Sequence, residues 1–245
     1  KNNSILLTRR NNKLNQDVSE VTNCEVCPMD ITSIESVRDI FNYFKPDIVI
    51  HAAATKYVDL SEKEPMECID VNVLGSQNIL RISIEKNIKT LIGISTDKAA
   101  PPVGNLYGHT KAIMERMFLS MANKSNVNIS CLRFGNIAWS TNSIFPIWKK
   151  MSVNDGIIKS TGPNMRRFVF SVEDACKLVK RAIRNINKLN GLILIQKMKS
   201  AKISDILNIW EKKYKIKWIS SKSRPGDKVD EYLIGESEIN NAKKI

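Results

Sequence analysis

The sequence predicts an α/β fold built on a doubly wound parallel sheet, followed by a smaller C-terminal α/β lobe. In the first 140 residues, short apolar runs rich in β-branched residues alternate with amphipathic stretches of helical length. Such alternation is typical of right-handed βαβ units, which build parallel sheets with helices on both faces. The 245 residues, of which 42% are hydrophobic and 26% charged, also suffice to bury a core without disulfides or metals.

Five short apolar segments are predicted to form the strands of this sheet, namely residues 4–8, 24–29, 47–54, 91–96 and 129–137. Two longer segments are predicted to be helices, because apolar side chains recur in them at steps of three and four residues. These are residues 65–86, with Pro65 in the first turn, and residues 106–122. We expect the carboxyl ends of the strands to line a ligand cleft.

After residue 140 the segments become shorter and more mixed. The sequence predicts helices over 144–151 and 203–210, a helix that begins after Ser171, and strands over 157–160, 167–171 and 192–195. We therefore divide the chain into residues 1–140, a sheet domain, and residues 141–245, mainly a smaller lobe from which some segments return to the sheet domain. The cleft between the two is the expected place for a ligand.

The composition of the chain indicates which partners it can bind and in which cellular compartment it works. The chain carries 38 Lys and Arg against 25 Asp and Glu, a net charge of +13, but the cations are dispersed, so we expect no nucleic-acid partner. No apolar run reaches the roughly 18 residues of a membrane span. Five cysteines without framework spacing indicate reduced thiols in a cytoplasmic protein. Cys24 and Cys27 lack the further ligands of a metal site, so none is expected.

The segment with the clearest chemistry is Thr96-Asp97-Lys98, at the end of a predicted buried strand, together with Tyr107 and Lys111 in the next helix. A spacing of four residues places Tyr107 and Lys111 on one helix face. A tyrosine hydroxyl has an ordinary pKa of about 10. A nearby ammonium lowers that pKa toward the range of a general base. The alternatives are an ordinary amphipathic helix for this pair and a solvated loop lysine for Lys98.

Five motifs extend this pattern over nearly the whole chain. They are HAAATKYVDLSEKEPMECIDVNVLGSQNIL (51–80), STDKAAPPVGNLYGHTK (95–111), RFGNI (133–137), MRRF (165–168) and RPGDKVDE (224–231). With them the chain resembles the extended short-chain dehydrogenases/reductases that act on nucleotide sugars. The resemblance is strongest to the inverting UDP-N-acetylglucosamine 4,6-dehydratases and their capsule and flagellin-sugar relatives. It implies a Rossmann-type sheet and a UDP-sugar substrate.

The resemblance also implies catalytic roles. Tyr107 would remove the proton of the sugar 4-hydroxyl while hydride passes from C4 to NADP, Lys111 would lower the pKa of Tyr107, and Thr96 would orient the 4-oxygen. Asp97 would protonate the departing 6-hydroxyl and Lys98 would take the C5 proton, with reprotonation on the opposite face inverting C5. Lys98 can act as this base only if burial or nearby positive charge depresses its pKa.

A cofactor site for NADP is implied as well, with NAD as the other possible cofactor. Arg9 and Arg10 follow the first predicted strand, where a basic residue suits the 2′-phosphate of NADP. The other residues that match cofactor positions of relatives are Asp30, Ile31, Ala52, Ala53, Ala54, Asn72, Tyr107 and Lys111. Among them, Asn72 matches an asparagine that supports the active-site backbone in relatives. Without the resemblance, Asp30 would be interpreted as a helix cap and the alanines as packing residues.

Four residues match positions that bind the nucleotide sugar in relatives, namely Lys56, Asn136, Arg167 and Arg224. The planar donor fork of arginine suits a diphosphate. Without the resemblance, the two arginines would be ordinary surface residues.

The sequence departs from the family at its beginning. Dinucleotide-binding folds open with a strand and a Gly-rich turn that meets the pyrophosphate at a helix N-terminus. Here the first glycine is Gly75, and residues 4–13 match the second strand of relatives. We expect that the first strand, the Gly-rich turn and the first helix are missing, as in a fragment, and that the chain alone binds cofactor weakly or not at all.

Two further functions stay open at this point. A UDP-sugar 4-epimerase has the same fold but keeps the 6-hydroxyl of its substrate. A truncated, non-catalytic homologue would act as an interaction protein. A homo-oligomer is expected in either enzyme case, because relatives dimerise through the helix of Tyr107 and its neighbour.

Overall fold

The computed structural model describes residues 4–244. The helices are α1 (Asn12–Val21), α2 (Ile34–Phe44), α3 (Val58–Lys63), α4 (Pro65–Ile69), α5 (Gly75–Glu85), α6 (Leu106–Met121), α7 (Ile144–Asn154), α8 (Val172–Arg184), α9 (Ile186–Leu189) and α10 (Ile203–Tyr214). The strands are β1 (Leu6–Arg9), β2 (Glu25–Pro28), β3 (Ile48–His51), β4 (Thr90–Thr96), β5 (Asn128–Phe134), β6 (Asn136–Ile137), β7 (Ile157–Thr161), β8 (Arg166–Phe170), β9 (Ile193–Ile195), β10 (Ser200–Lys202) and β11 (Lys217–Ser221).

Four parallel strands form the main sheet in the order β3-β4-β5-β9, and β1 and β2 form a separate parallel pair. The predicted α/β class and parallel sheet are therefore confirmed. β3 is shorter than predicted, so residues 52–54 lie in the loop that follows it. Within residues 4–244, β3 pairs only with β4, and its apolar side chains Ile48 and Ile50 are 42% and 46% exposed. The sheet is thus open along this edge.

Helices cover both faces of the main sheet, which makes it doubly wound. Residues paired across parallel strands point to the same face. Leu91 and Ile129 are paired, and they belong to a core that includes side chains of α2, α5 and α6. Leu132 and Leu194, also paired, point to the opposite face and pack with Leu178 of α8.

The single helix predicted over residues 65–86 is interrupted in the structure. A π-helical turn at Asp70–Leu74 joins α4 to α5. The buried amide of Asn72 in this turn accepts a hydrogen bond from the Thr55 N–H at 2.8 Å and donates to the Thr55 carbonyl and Thr110 Oγ1 at 3.0 Å each. Apolar spacing predicts the helix but not the wider turn, because Asn72 is held by hydrogen bonds rather than by apolar contacts.

The smaller lobe contains two short sheets, one with the order β10-β8-β6 and one in which β7 pairs with β11. Its core includes Trp148, Ile158, Leu207 and Trp210. The division after residue 140 stays a proposal, since β6 precedes that residue and already pairs with β8 of the lobe. Among the described helices, none combines the length and apolar character needed to cross a bilayer.

Residues 224–241, here called the C-terminal segment, return to the sheet domain. Arg133 of β5 binds Glu238 of this segment through two hydrogen bonds of 2.6 and 2.7 Å. The same guanidinium binds Glu115 of α6 at 2.7 and 2.9 Å. One buried cation therefore joins the sheet, a helix and the C-terminal segment.

Candidate active site

The carboxyl end of β4 and the turn after it form the base of the site. Thr96, the last residue of β4, donates a hydrogen bond from Oγ1 to Asp97 Oδ1 at 3.0 Å and accepts one from the Lys98 N–H at 3.4 Å. The Asp97 residue is 1% exposed. A hydroxyl and a carboxylate are thus fixed side by side where open parallel sheets bind ligands.

Tyr107 enters the site from the first turn of α6. Asn105 caps this helix, because its Oδ1 accepts a hydrogen bond from the Gly108 N–H at 2.7 Å. Gly108 lets the helix lie against the turn after β4, since a Cβ there would overlap the Lys98 carbonyl oxygen. As a result the Tyr107 hydroxyl lies close enough to the Thr96 side chain for that side chain to lower the pKa of Tyr107.

The charges around the tyrosine differ from the expectation. Burial raises the pKa of Tyr107 to about 12, and the Lys98 ammonium offsets part of this rise. Burial lowers the pKa of Lys111 to about 8, and its Nζ donates to the Met114 sulfur at 3.5 Å. The expected lowering of the tyrosine pKa by Lys111 is therefore wrong for this structure. Lys98 is the cation that acts on Tyr107, because the amine of Lys111 lies deeper, beside Met114.

Lys98 lies between two buried carboxylates. Its Nζ is 3.0 Å from Asp97 Oδ1 and 3.7 Å from Glu231 Oε1. Burial lowers the pKa of Lys98, but the charges of Asp97 and Glu231 raise it by more, so it lies above its ordinary value. The depressed pKa required of a C5 base is not found here, because the fold gives this lysine two anionic partners.

Glu231 is the site residue that sequence reasoning missed. It belongs to the C-terminal segment and is 6% exposed. Burial raises the pKa of its carboxyl, and Lys98 offsets this only in part. Among the described residues, Glu231 Oε2 and Asp97 Oδ2 have no hydrogen-bond partner. The sequence does contain a signal for Glu231, because it is the last residue of the motif RPGDKVDE. Within this motif, the resemblance assigns a role only to Arg224.

The residues near β3 that are expected to line a cofactor differ from one another in their exposure. Ala52 and Ala53 are exposed in the loop after the strand, and Ala54 is half-buried. Asn72 is fully buried and binds both sides of the Thr55 peptide. It therefore holds the backbone of this loop, which is the kind of support that the resemblance implies for Asn72.

Arg9 and Arg10 lie exposed at the end of β1 and just after it. Arg10 forms an ion pair of 3.2 Å with Glu67, and both side chains are more than half exposed. Such surface pairs contribute about 0–1 kcal/mol, so this contact leaves the guanidinium free to exchange partners.

Asp30 and Ile31 follow β2. Asp30 Oδ1 accepts hydrogen bonds from the N–H and Oγ1 of Thr32 at 2.9 and 2.8 Å, which close the turn before α2. Ile31 is buried in the core, where it packs against Gly75. Its side chain therefore faces the core and not the open edge.

Lys56 and Asn136 are tied to backbone carbonyls. Lys56 Nζ donates to the Thr141 carbonyl at 2.7 Å, which links the loop after β3 to the smaller lobe. Asn136 Nδ2 donates to the Phe168 carbonyl at 2.9 Å between β6 and β8.

Arg167 contacts the C-terminal segment from β8, whereas Arg224 belongs to that segment. Arg167 donates to the carbonyls of Lys228 and Val229 at 2.8 and 3.2 Å and so holds the C-terminal segment. Arg224 is exposed, 3.6 Å from Asp227. The structure thus brings Thr96, Asp97, Lys98, Tyr107 and Glu231 together, with Arg167 nearby, and places Arg224 at the surface.

A comparison with protein families decides the relationship. The family model of polysaccharide biosynthesis proteins matches residues 2–245. The chain belongs to this family. A UDP-N-acetylglucosamine 4,6-dehydratase (inverting) of Campylobacter jejuni is 36% identical over 198 residues, which cover 78% of this chain and 57% of that protein. A UDP-glucose 4-epimerase of Rickettsia canadensis is 33% identical over 223 residues, which cover 88% of this chain and 63% of that protein.

Structural comparison agrees with this assignment. The X-ray structure of Pen from Bacillus thuringiensis has a TM-score of 0.87 and 26% identity, and the match covers 96% of this chain and 74% of that one. The predicted resemblance to extended short-chain dehydrogenases/reductases and the Rossmann-type sheet are thereby confirmed. The chain spans less than two thirds of the length of either sequence relative, one of which is a nucleotide-sugar dehydratase and the other a nucleotide-sugar epimerase.

Proposed function

We propose that the full-length protein is an NADP-dependent UDP-N-acetylglucosamine 4,6-dehydratase that inverts C5 and serves surface-polysaccharide biosynthesis. One observation carries the proposal: Thr96, Asp97 and Lys98 form one hydrogen-bonded group against Tyr107. This group holds a hydroxyl to orient the 4-oxygen, a phenol for the 4-hydroxyl proton, and an acid–base pair for the elimination. An enzyme that only oxidises and reduces C4 needs no such second pair.

The residues present fit the nicotinamide half of a dinucleotide. Lys111 is 2% exposed, and its ammonium has a sulfur atom as its hydrogen-bonding contact, a weak acceptor. Ribose hydroxyls would be better acceptors for it. Ala52 and Ala53 are exposed and have small side chains, so a dinucleotide could approach their backbone closely at the end of β3. When bound, the cofactor would accept the hydride of C4 and return it to C6, so that the dehydration is redox-neutral overall.

The choice of NADP over NAD rests on Arg9 and Arg10. A basic pair at the end of β1 suits the 2′-phosphate, where NAD enzymes place an acidic residue. Asp30 would meet the adenine, and its turn with Thr32 fixes one carboxylate oxygen and leaves the other free to accept. NAD remains the alternative cofactor.

In the chemical steps, Tyr107 takes the 4-hydroxyl proton while Thr96 holds the 4-oxygen. The resulting 4-keto group acidifies the C5 proton. Asp97 then gives a proton to the departing 6-hydroxyl, and Lys98 takes the C5 proton. Return of a proton to C5 on the opposite face gives inversion. Asn136, Arg167, Arg224 and Lys56 are proposed to bind the nucleotide sugar.

Product analysis tests the proposal. The full-length protein is incubated with UDP-N-acetylglucosamine and NADP, and the product is examined by mass spectrometry and NMR. The expected product has lost one water and carries a 4-keto group and a 6-methyl group. A product that keeps its 6-hydroxyl would contradict the dehydratase.

The second candidate is a UDP-sugar 4-epimerase, because the Rickettsia relative matches more of this chain than the Campylobacter dehydratase does. Thr96, Tyr107 and Lys111 would serve both reactions. In the same incubation an epimerase gives a product of unchanged mass with the C4 configuration reversed. Absence of both products, with no cofactor bound, would favour the non-catalytic interaction protein. The homo-oligomer and the cytoplasmic location stay predictions.

A further inference from the structure

The position of Lys98 poses a chemical difficulty for the proposed function. An amine abstracts a proton only when it is uncharged, yet Lys98 Nζ lies 3.0 Å from one carboxylate and 3.7 Å from another. Both partners, Asp97 and Glu231, are nearly fully buried, and each has one oxygen without a hydrogen-bond partner among the described residues. With both carboxylates ionised and Lys98 protonated, the three groups carry a net charge of −1. The elimination starts from the state with one proton more, which Asp97 holds.

The fold fixes Glu231 in this place from several sides. Arg166 N–H donates to the Val229 carbonyl at 2.9 Å, and Arg167 donates to the carbonyls of Lys228 and Val229. Beyond Glu231, the pair of Glu238 with Arg133 holds the C-terminal segment on the sheet domain. The position of the buried Glu231 carboxylate is therefore fixed by contacts of the residues before it and after it in the chain.

We propose that Glu231 is a positioning residue that accepts the proton of Lys98 and thereby frees the amine to act as the C5 base. The inference rests on the proposed function. One N–H bond of the Lys98 ammonium breaks and the proton binds a carboxylate oxygen of Glu231. The amine lone pair then takes the C5 proton, and the C5–H electrons form the C5–C6 double bond. The C6–O bond breaks at the same time, and its oxygen leaves as water with the proton of Asp97.

Of the groups that face this pair, Arg167 favours the transfer, whereas the charge of Asp97 raises the pKa of Lys98 and opposes it. Burial raises the pKa of Glu231, with Lys98, Arg167 and Lys228 lowering it by less, so its carboxyl binds a proton more readily than an ordinary glutamate. Asp97 faces Lys98 from its own turn, and Tyr107 lies beside it from α6. The charge of Arg167 also favours the neutral amine.

The test compares Glu231→Gln with Asp230→Asn in the full-length protein. Asp230 is the adjacent carboxylate on the same segment, but it forms a surface ion pair with Arg166. Two reactions are followed: reduction of the bound cofactor by its absorbance on mixing with substrate, and C5 deuteration with product formation in deuterated water. For Glu231→Gln we expect cofactor reduction to persist while C5 deuteration falls about 100-fold or more. Asp230→Asn should leave both reactions unchanged.

The pH profile distinguishes proton transfer from a structural effect. In the wild type, C5 deuteration should fall as acid protonates Glu231 before the transfer. In Glu231→Gln the fall with acid should begin at a higher pH, because the residual rate then follows deprotonation of Lys98 by the solvent. Glu231→Asp should regain part of the rate. Equal C5 deuteration in Glu231→Gln and wild type, or loss of cofactor reduction together with C5 deuteration, would overturn the inference. A wild type that deuterates nothing and forms no product would instead overturn the proposed function.

Discussion

Buried amines distinguish this site at the scale of single residues. Lys98 and Lys111 both lie out of water, but the fold treats them oppositely. Two carboxylates raise the pKa of Lys98, whereas burial lowers the pKa of Lys111 to about 8. The sequence identified both lysines, but burial depth and the partner carboxylate of Glu231 arise only in the folded chain. The sequence therefore predicts which residue types meet at this site but not their charge states.

The depressed pKa of Lys111 predicts a dependence of stability on pH. The unfolded chain, with the ordinary value of 10.5, binds more protons than the folded chain between about pH 8 and that value, so this group makes stability rise with pH there. At pH 7, in the absence of ligands, Lys111→Met should increase the free energy of unfolding by about 3 kcal/mol. Urea unfolding at pH 7 and pH 10 measures this.

The exposed Lys124→Met serves as the control for Lys111→Met and should change little at either pH. The gain of Lys111→Met should be markedly smaller at pH 10. An equal gain at both pH values would show that apolar packing, and not the buried charge, is responsible.

Close approach of α6 to the turn after β4 organises the site at the scale of elements. Gly108 permits this approach, and Asn105 fixes where the helix begins. The sequence predicted this helix to within a residue, since its apolar spacing is regular. It did not predict α1 and α2. Nor did it predict the π turn around Asn72, because the hydrogen bonds that stabilise such a turn leave no apolar periodicity in the sequence.

Gly108→Ala should therefore displace the catalytic turn. The added Cβ would overlap the backbone of Lys98, which cannot rotate away, so we expect a loss of about 1–3 kcal/mol in stability and a fall in activity. Gly104→Ala is the matched control, since its Cβ would meet only the flexible side chain of Lys228. Thermal unfolding and product formation are measured for both. Wild-type behaviour of Gly108→Ala in both assays would contradict the close contact.

Contacts between distant parts of the chain complete the site at the scale of the whole molecule. The C-terminal segment brings Glu231 to Lys98, and the buried Arg133 holds that segment against β5 and α6. Sequence reasoning predicted the two-part organisation from the change of pattern near residue 140. It could not place Glu231, because no local pattern encodes which buried group a returning segment will meet.

Arg133 should be essential to this arrangement. Arg133→Met leaves Glu115 buried without its cation, and we expect a loss of about 3–5 kcal/mol in the free energy of unfolding. The double variant Arg133→Met with Glu115→Met should recover much of this loss, because no unpaired buried charge remains on α6. Urea unfolding measures both. A double variant as unstable as the single one would show that the cost does not come from the unpaired carboxylate.

We propose above all that the group of Thr96, Asp97, Lys98 and Tyr107 carries out dehydration with inversion at C5. The most direct measurement is NMR of the product formed from UDP-N-acetylglucosamine in deuterated water by the full-length wild type and by Lys98→Ala. The wild type should give a 4-keto-6-deoxy sugar with deuterium at C5 and the inverted configuration, and Lys98→Ala should give none. The same product at the same rate from Lys98→Ala, or retention of the C5 configuration by the wild type, would contradict the claim.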